Sequence, residues 1–263
     1  MTTPATLTLA TWNLLHGISI LGDGSEGQLS SSAQSLNADV LAVQEVDCGS
    51  PRSGHVCHTE VIAQALDAQF QFCATLRGVP GESWTTADGH TDDGQGPRYG
   101  IGLVSKLPVL QWHSLALPDS RVKMPLVVPS PKGPRFIAVS DEPRWGLAAV
   151  IEGANGPFTA VTTHLSFVPF VNLRQLRHLT KWLAQFPKPV FLLGDLNIPH
   201  IVMQRQSAWK LLAEHATYPV THPRVQFDHI AVNRDDAMTP IATSAQALAV
   251  GDHCALTVTI PHP

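Results

Sequence analysis

Apolar runs of strand length recur along the chain, separated by turn-forming residues or by stretches whose apolar positions repeat at the helical period. Strands are predicted at 7–12, 40–43, 101–104, 109–117, 147–151, 158–163, 190–193, 225–232, 245–250 and 255–260. Short helices are predicted at 30–36 and 59–67, each preceding a strand, the second with Val61, Ile62, Ala65 and Leu66 on one face and Thr59 as its cap. The clearest helix spans 171–186: Leu173, Leu176, Leu179 and Leu183 form one stripe, while Arg174, Arg177, His178 and Lys181 fall mostly outside it. A further helix is expected near 207–215. The strands at 147–151 and 158–163, joined by a Gly- and Pro-containing turn, read as a hairpin. Mixed hairpins and helix-separated strands point to two sheets packed on each other with helices outside.

Two stretches lack this periodicity. Residues 77–98 form a long Gly- and Asp-rich loop, a length unusual in a compact domain and a candidate rim for a site. Residues 119–143 are a Pro-interrupted excursion carrying Arg121, Lys123, Lys132 and Arg135, either a solvated hairpin or a basic lip that attracts anionic substrate.

Composition narrows the class. The 263 residues suit one domain, 1–263, and with 44% hydrophobic and 14% charged residues the core is large. Seventeen Lys and Arg against 21 Asp and Glu give a net charge of −4, which argues against holding long nucleic acid by bulk phosphate neutralisation. The 13 His, 21 Pro and 19 Gly suit a fold of many turns and shaped loops. The first residues carry neither a basic start nor an apolar stretch, and no segment reaches the ~18 apolar residues of a membrane span. A cytoplasmic protein with no integral membrane association is the expectation. Cys48, Cys57, Cys73 and Cys254 lie in no CxxC pair and are read as reduced thiols; His55, Cys57 and His58 near Cys48 offer metal-ligating atoms, but at no standard zinc spacing.

Chemistry concentrates where apolar runs stop. Four of them end in an amide, carboxylate or imidazole: at Asn13, at Gln44-Glu45, at His164, and at Asp195 with Asn197 two residues on. A buried strand ending this way presents the polar group at the sheet edge, where open α/β folds place their sites. Near the C-terminus the order reverses. Asp228-His229 opens one apolar run and Asp252-His253 precedes another, so the last strands would start where the others end. Each element alone has an ordinary structural reading: Asn13 as a turn cap, Glu45 as a solvated strand end, His164 as a core imidazole, Gly194-Asp195-Leu196-Asn197 as an Asx-turn. His229 alternates to the face opposite Asp228 and reads as structural.

Taken in order, Thr11-Trp12-Asn13, Gln44-Glu45, Tyr99 through Ser105-Lys106, Thr163-His164-Leu165, Gly194 through Asn197, Asp228-His229-Ile230 and Gly251-Asp252-His253 resemble the motifs of the endonuclease/exonuclease/phosphatase superfamily over nearly the whole chain. That superfamily includes deoxyribonucleases, abasic-site endonucleases, sphingomyelinases and inositol polyphosphate 5-phosphatases. The resemblance implies an α/β (α+β) fold, a four-layer α/β/β/α sandwich of two mixed β-sheets with the site at one end of both. It also implies a metal-dependent phosphoesterase. Glu45 would be the principal ligand of Mg²⁺ or Mn²⁺, hard cations that prefer carboxylate oxygen, with Asn13 and Asp252 close to the same ion. His253, oriented by Asp228, would be general base or electrostatic partner; Asp195 would position the attacking water; Asn197 and His164 would donate to non-bridging phosphate oxygens. The base assignment stays open between Asp195 and His253. Gly251 stands where the family most often has Ser, a local hydroxyl lost.

The first function expected is hydrolysis of a phosphodiester or phosphomonoester, with a small molecule, lipid headgroup or short nucleotide as substrate. A DNA or RNA nuclease is the alternative within the same class, its groove supplied by Arg98, Arg121, Lys123, Lys132 and Arg135. A binding protein that kept the fold and lost the chemistry is the third reading, disfavoured because every acidic and imidazole position is intact.

Overall fold

The computed structural model describes residues 6–22, 25–80, 82–89, 96–120, 123–128, 135–233 and 238–263, the side chains of 123–128 and 135–140 excepted. Two mixed sheets face each other. The first runs β14 (Ala242–Gln246), β15 (Ala255–Pro261), β1 (Thr6–Asn13), β2 (Val40–Cys48), β5 (Arg98–Ser105), β3 (Gln69–Gly78) and β4 (Trp84–Thr86). The second runs β12 (Trp209–Leu211), β13 (Asp228–Asn233), β11 (Val190–Asp195), β10 (Phe158–His164), β9 (Trp145–Ile151) and β6 (Val109–Ala116). A separate hairpin pairs β7 (Lys123–Val128) with β8 (Arg135–Ser140).

The inner faces supply the central core: Leu7, Leu9, Val40, Ala42 and Leu103 from one sheet meet Leu147, Phe158, Phe191, Leu193 and Ile230 from the other. The residues between them in sequence turn outward. On the first sheet Ala10, Leu41 and Val43 are covered by Leu29 and Ala33 of α1 (Glu26–Ser35) and Ile62 and Ala63 of α2 (His58–Leu66). On the second, Ala148, Val161 and Leu192 are covered by Leu176, Leu179 and Leu183 of α3 (Val171–Leu183). This is the four-layer α/β/β/α sandwich. It explains why the central strands read as unbroken apolar runs: both of their faces are buried.

Each sheet contains one parallel pair. β1 and β2 flank α1 in sequence, and β10 and β11 flank α3. Parallel strands end at the same edge, so Asn13 lies beside Gln44 and His164 beside Asp195. β13 runs antiparallel to β11 and begins at that edge, with Asp228 opposite Asp195. The expected hairpin of 147–151 and 158–163 is present as β9 and β10.

Several expectations change. The helix near 207–215 is instead the edge strand β12, preceded by the short α4 (His200–Met203). Trp209 pairs with Asn233, buries its ring and donates its indole N–H to Thr180 Oγ1 at 2.9 Å, so sheet pairing and burial override a locally helical pattern. The strand at 245–250 is shifted to Ala242–Gln246; Leu248 and Val250 beyond it are buried against the outer face of the first sheet. The 77–98 loop holds β4 and the ends of β3 and β5, with residues 81 and 90–95 outside the described residues. Of the basic cluster, Arg121 and Lys132 lie outside the described residues, and Lys123 and Arg135 are known only as backbone positions of the hairpin. Arg98 opens β5 with 5% exposure, its Nη2 donates to Cys48 Sγ at 3.5 Å, and it lines a cavity other than the one that Glu45 faces.

Candidate active site

The site forms where both sheets end. In β2 the pairing with β5 slips between Val43 and Val46, and Glu45 takes φ +55. This bulge separates two neighbours that regular alternation would place on opposite faces. Gln44 turns between the sheets, accepting from Thr11 Oγ1 at 3.2 Å and donating to Thr162 Oγ1 at 3.0 Å. Glu45 faces a cavity of about 410 Å³ with its side chain 20% exposed.

Asn13, fully buried, joins the two sheets chemically. Its Nδ2 donates to Glu45 Oε1 at 3.0 Å and to Asp195 Oδ2 at 3.1 Å, while its Oδ1 accepts from Leu15 N at 3.0 Å. Every polar atom of that amide is thus engaged. Asp195 ends β11 just before a tight turn: its Oδ1 accepts from Asn197 N at 3.0 Å, and Asn197 sits at φ +49. Gly194, one residue earlier, has φ +151, and a Cβ there would meet Thr163 O at 2.0 Å, so only glycine lets β11 approach β10 this closely. Asn197 Nδ2 donates to Leu165 O at 3.0 Å and lies 3.2 Å from His164 Nε2, so both amide hydrogens are directed within the protein.

On the far side, His253 Nδ1 meets Asp228 Oδ2 at 2.7 Å, and its Nε2 points to Asp195 Oδ2 and Asp252 Oδ1, each at 3.9 Å. Tyr218 lies against the imidazole with ring centroids 4.7 Å apart. Asp252 also lines the cavity, its side chain 28% exposed. The structure therefore brings together Asn13, Glu45, His164, Asp195, Asn197, Asp228, Asp252 and His253. His229 does lie apart, fully buried, its Nε2 at 2.7 Å from Ile198 O.

Charge differs sharply across this short distance. Burial alone would raise the Glu45 carboxyl, but the facing His16, the field of His164 and the Asn13 amide hold it down at about 2. Burial pushes Asp195 up to about 6, His253 opposing and Asp228 assisting. Burial would discharge His253, yet Asp228, followed by Asp195 and Asp252, raises it to about 10. His164 falls to about 3 through burial and the neighbouring Arg144, so its ring is neutral at neutral pH. An anionic Glu45, a cationic His253 and an Asp195 able to change protonation near neutrality stand around one cavity.

Two donor sets suit a cation. Glu45 and Asp252 offer carboxylate oxygens at the cavity surface, with no sulfur among the lining residues, which fits a hard divalent ion. Donor atoms of Asp195, Asp228 and His253 also lie within 4.8 Å of one another, although Asp228 Oδ2 and His253 Nδ1 are engaged with each other.

The cavity is also lined by Tyr99, Glu142, Arg144, Phe167, Tyr218 and Phe227, and His16 Nδ1 approaches Glu45 Oε2 at 3.9 Å. Sequence reading gave none of these a role in the site. Arg144, 6% exposed, is held by Asp141 Oδ1 at 2.9 Å and has Glu142 Oε2 at 4.0 Å. A signal for two of them existed: strands antiparallel to one that ends at the site must begin there. β5 opens with Arg98-Tyr99 against β2, and β9 opens just after Arg144 against β10. His16 and Tyr218 come from loops whose placement no strand pattern foretells.

The model of the Endonuclease/Exonuclease/phosphatase family matches residues 10–253. No curated protein matches the sequence. Among solved structures, an endonuclease/exonuclease/phosphatase from Beutenbergia cavernae DSM 12333 is similar with a TM-score of 0.70 and 17% identity, covering 98% of this chain and 72% of that one. A mannosyl-6-phosphatase of Bacteroides thetaiotaomicron VPI-5482 gives 0.60 and 14%, covering 97% and 99%. D. rerio TDP2 complexed with a single strand DNA product gives 0.61 and 16%, covering 98% and 99%. At these identities the likeness is one of fold.

Proposed function

Because the chain belongs to the endonuclease/exonuclease/phosphatase family, we propose that it is a divalent-metal-dependent phosphoric ester hydrolase acting on a small phosphodiester or phosphomonoester. The observation that carries this reading is the convergence on one cavity of an ionised Glu45 from one sheet with the Asp228–His253 pair and Asp195 from the other. Glu45 and Asp252 would hold Mg²⁺ or Mn²⁺, with Asn13 fixing Glu45 rather than ligating through its engaged oxygen. When bound, the ion supplies Lewis-acid stabilisation of charge on the phosphoryl oxygens.

The remaining roles belong to the chain. Asp195 takes the proton of the attacking water, since a carboxylate near 6 accepts a proton at neutral pH whereas an imidazolium near 10 does not. His253, kept cationic by Asp228, donates through Nε2 to a phosphoryl oxygen as charge develops, an interaction of a kind worth about 3 to 4 kcal/mol. Neutral His164 adds its ring N–H, and Asn197 acts by holding His164 in place. Arg144 supplies positive charge at the cavity wall, partly neutralised by Asp141 and Glu142. With Arg98 buried and Arg144 paired, the described lining favours one phosphate over a long polyanion.

The test is hydrolysis by purified protein, with and without Mg²⁺ or Mn²⁺, of p-nitrophenyl phosphate, bis-p-nitrophenyl phosphate, a sugar 6-phosphate and single-stranded DNA, repeated with His253→Ala. Metal-stimulated turnover of a small ester that His253→Ala removes is the expected result. Salt-sensitive DNA cleavage without small-ester turnover would move the protein to the nucleases. No metal-stimulated, His253-dependent activity on any substrate would leave the fold as a binding protein.

A further inference from the structure

Two thiols that the site leaves without a role are brought face to face. Cys48 ends β2 and Cys57 immediately precedes α2; Gly49 N donates to Val56 O at 3.0 Å, and the two cysteines pair as antiparallel bridge partners. Directly opposed residues of this kind hold their Cβ atoms about 4.5 to 5.5 Å apart, so a small approach reaches the roughly 3.5 to 4.5 Å that a disulfide spans. Arg98 Nη2 donates to the Cys48 sulfur at 3.5 Å. Cys48 and Cys57 both line a second cavity of about 620 Å³ beside Arg98, His55 and Glu60; Cys48 is 4% exposed and Cys57 half-buried, so a small oxidant reaches the pair from that cavity.

The charge pattern agrees with this geometry. The facing Cys57 thiol draws the Cys48 thiol below its ordinary value against burial, with Arg98 assisting and Glu60 and Asp47 opposing. Cys73 and Cys254, buried like Cys48, shift the other way: burial pushes both thiols up, and the facing Cys48 together with burial raises Cys57. Thiolate character with access selects the reactive sulfur.

We propose that Cys48 and Cys57 are a peroxide-reactive dithiol, an oxidation site that closes to an intramolecular disulfide. The Cys48 thiolate attacks one oxygen of a hydroperoxide; the S–O bond forms, the O–O bond breaks, and the departing oxygen leaves as water after taking a solvent proton when the oxidant is hydrogen peroxide. The Cys57 sulfur then attacks the Cys48 sulfenic acid; the S–S bond forms and the S–O bond breaks. The Cys57 proton leaves with the hydroxyl as a second water. Both sulfurs are oxidised and both peroxide oxygens reduced. The bond would pin the 49–56 segment, including Arg52, whose guanidinium holds Asp47 at 2.7 and 2.8 Å and lies 5.9 Å from the ring centroid of Tyr99 in the wall of the active cavity.

The folded wild-type chain is exposed to hydrogen peroxide, unfolded in an alkylating reagent, cut with trypsin and read by mass spectrometry. Cleavage after Arg52 separates Cys48 from Cys57, and a second cut after Glu60 by a glutamyl endopeptidase separates Cys57 from Cys73, so a Cys48–Cys57 disulfide shows as two joined peptides distinct from a link through Cys73. The expected result is a fall from four free thiols to two, with Cys48 linked to Cys57 within one chain. Cys57→Ser leaves a Cys48 sulfenic acid that dimedone captures, and Cys48→Ser leaves Cys57 unmodified under the same exposure. Four surviving thiols, links between chains, or links through Cys73 or Cys254 would overturn the proposal. The readout is thiol chemistry alone, independent of any hydrolysis.

Discussion

Each sheet delivers its polar groups from a parallel pair, β1 with β2 and β10 with β11, yet the carboxylates they present stand far apart: Glu45 at about 2 and Asp195 at about 6. The first bank gives its acid the Asn13 amide as donor and His16 at 3.9 Å, and leaves it partly open to the cavity. The second bank buries Asp195 and places Asp228 near it, so the anion is costly there. In the proposed mechanism the first bank carries the fixed negative charge that would hold a cation, and the second pairs an Asp195 that takes up a proton near neutrality with a His253 that stays cationic. Asn13 bonds to a carboxylate on each side and ties the two together.

Removing the second bank has the largest expected effect. Asp195→Ala and His253→Ala are each expected to lower kcat by about 10²- to 10⁴-fold, with the circular dichroism of the fold retained; near wild-type kcat at saturating metal removes that residue from the mechanism. Glu45→Gln strikes the other bank. It is expected to lower kcat by about 10²-fold and to raise the metal concentration needed for half-maximal rate, a shift that a metal titration separates from the second-bank variants.

Acidity sharpens the contrast. The profile of kcat/KM should rise through an apparent pKa near 6 as Asp195 ionises and fall near 10 as His253 discharges. Asp228→Asn removes the partner that raises His253, so the alkaline limb should move down toward neutrality; an unmoved limb would detach it from this pair. The stability linkage has a definite sign. His253 is raised in the folded state, so its contribution is complete below its unfolded value of 6.5 and is lost as pH climbs through about 10. Asp195, also raised, favours folding below 3.8 and gives up that contribution as pH passes about 6.

Smaller effects test the scaffold. Asn13→Leu leaves two carboxylates without their shared donor and should cost about 1 to 3 kcal/mol in denaturant unfolding. Gly251→Ser restores the residue the family most often has, yet Gly251 sits at φ +87 with Asn13 O only 2.5 Å from where a Cβ would stand. A lowered Tm, by the equivalent of about 1 to 3 kcal/mol, is expected with little change in kcat. An unchanged Tm would mean that the turn relaxes freely.

Much of this was legible in the chain because the central strands are buried on both faces and stop abruptly at polar residues. That pattern located Asn13, Glu45, His164 and Asp195, and the order of motifs located Asp228, Asp252 and His253. The edge elements were harder. Trp209 to Leu211 carries a pattern a helix could use, and only the open side of β13 turned it into strand. Tyr99 and Arg144 were reachable through strand direction, whereas His16 and Tyr218 depend on loop conformations that carry no periodic signal.

What the sequence determined by itself was the layered fold and the eight polar positions at its strand ends, because burial imposes a period on apolar residues and the ends of that period are visible. What tertiary structure decided was how those positions differ. The bulge that turns Gln44 inward and Glu45 outward, the amide of Asn13 shared by two carboxylates, and the burial that separates the acidities of Glu45 and Asp195 arise only when two sheets meet. Electrostatic environment depends on distances across the fold, and those distances are absent from the order of residues along the chain.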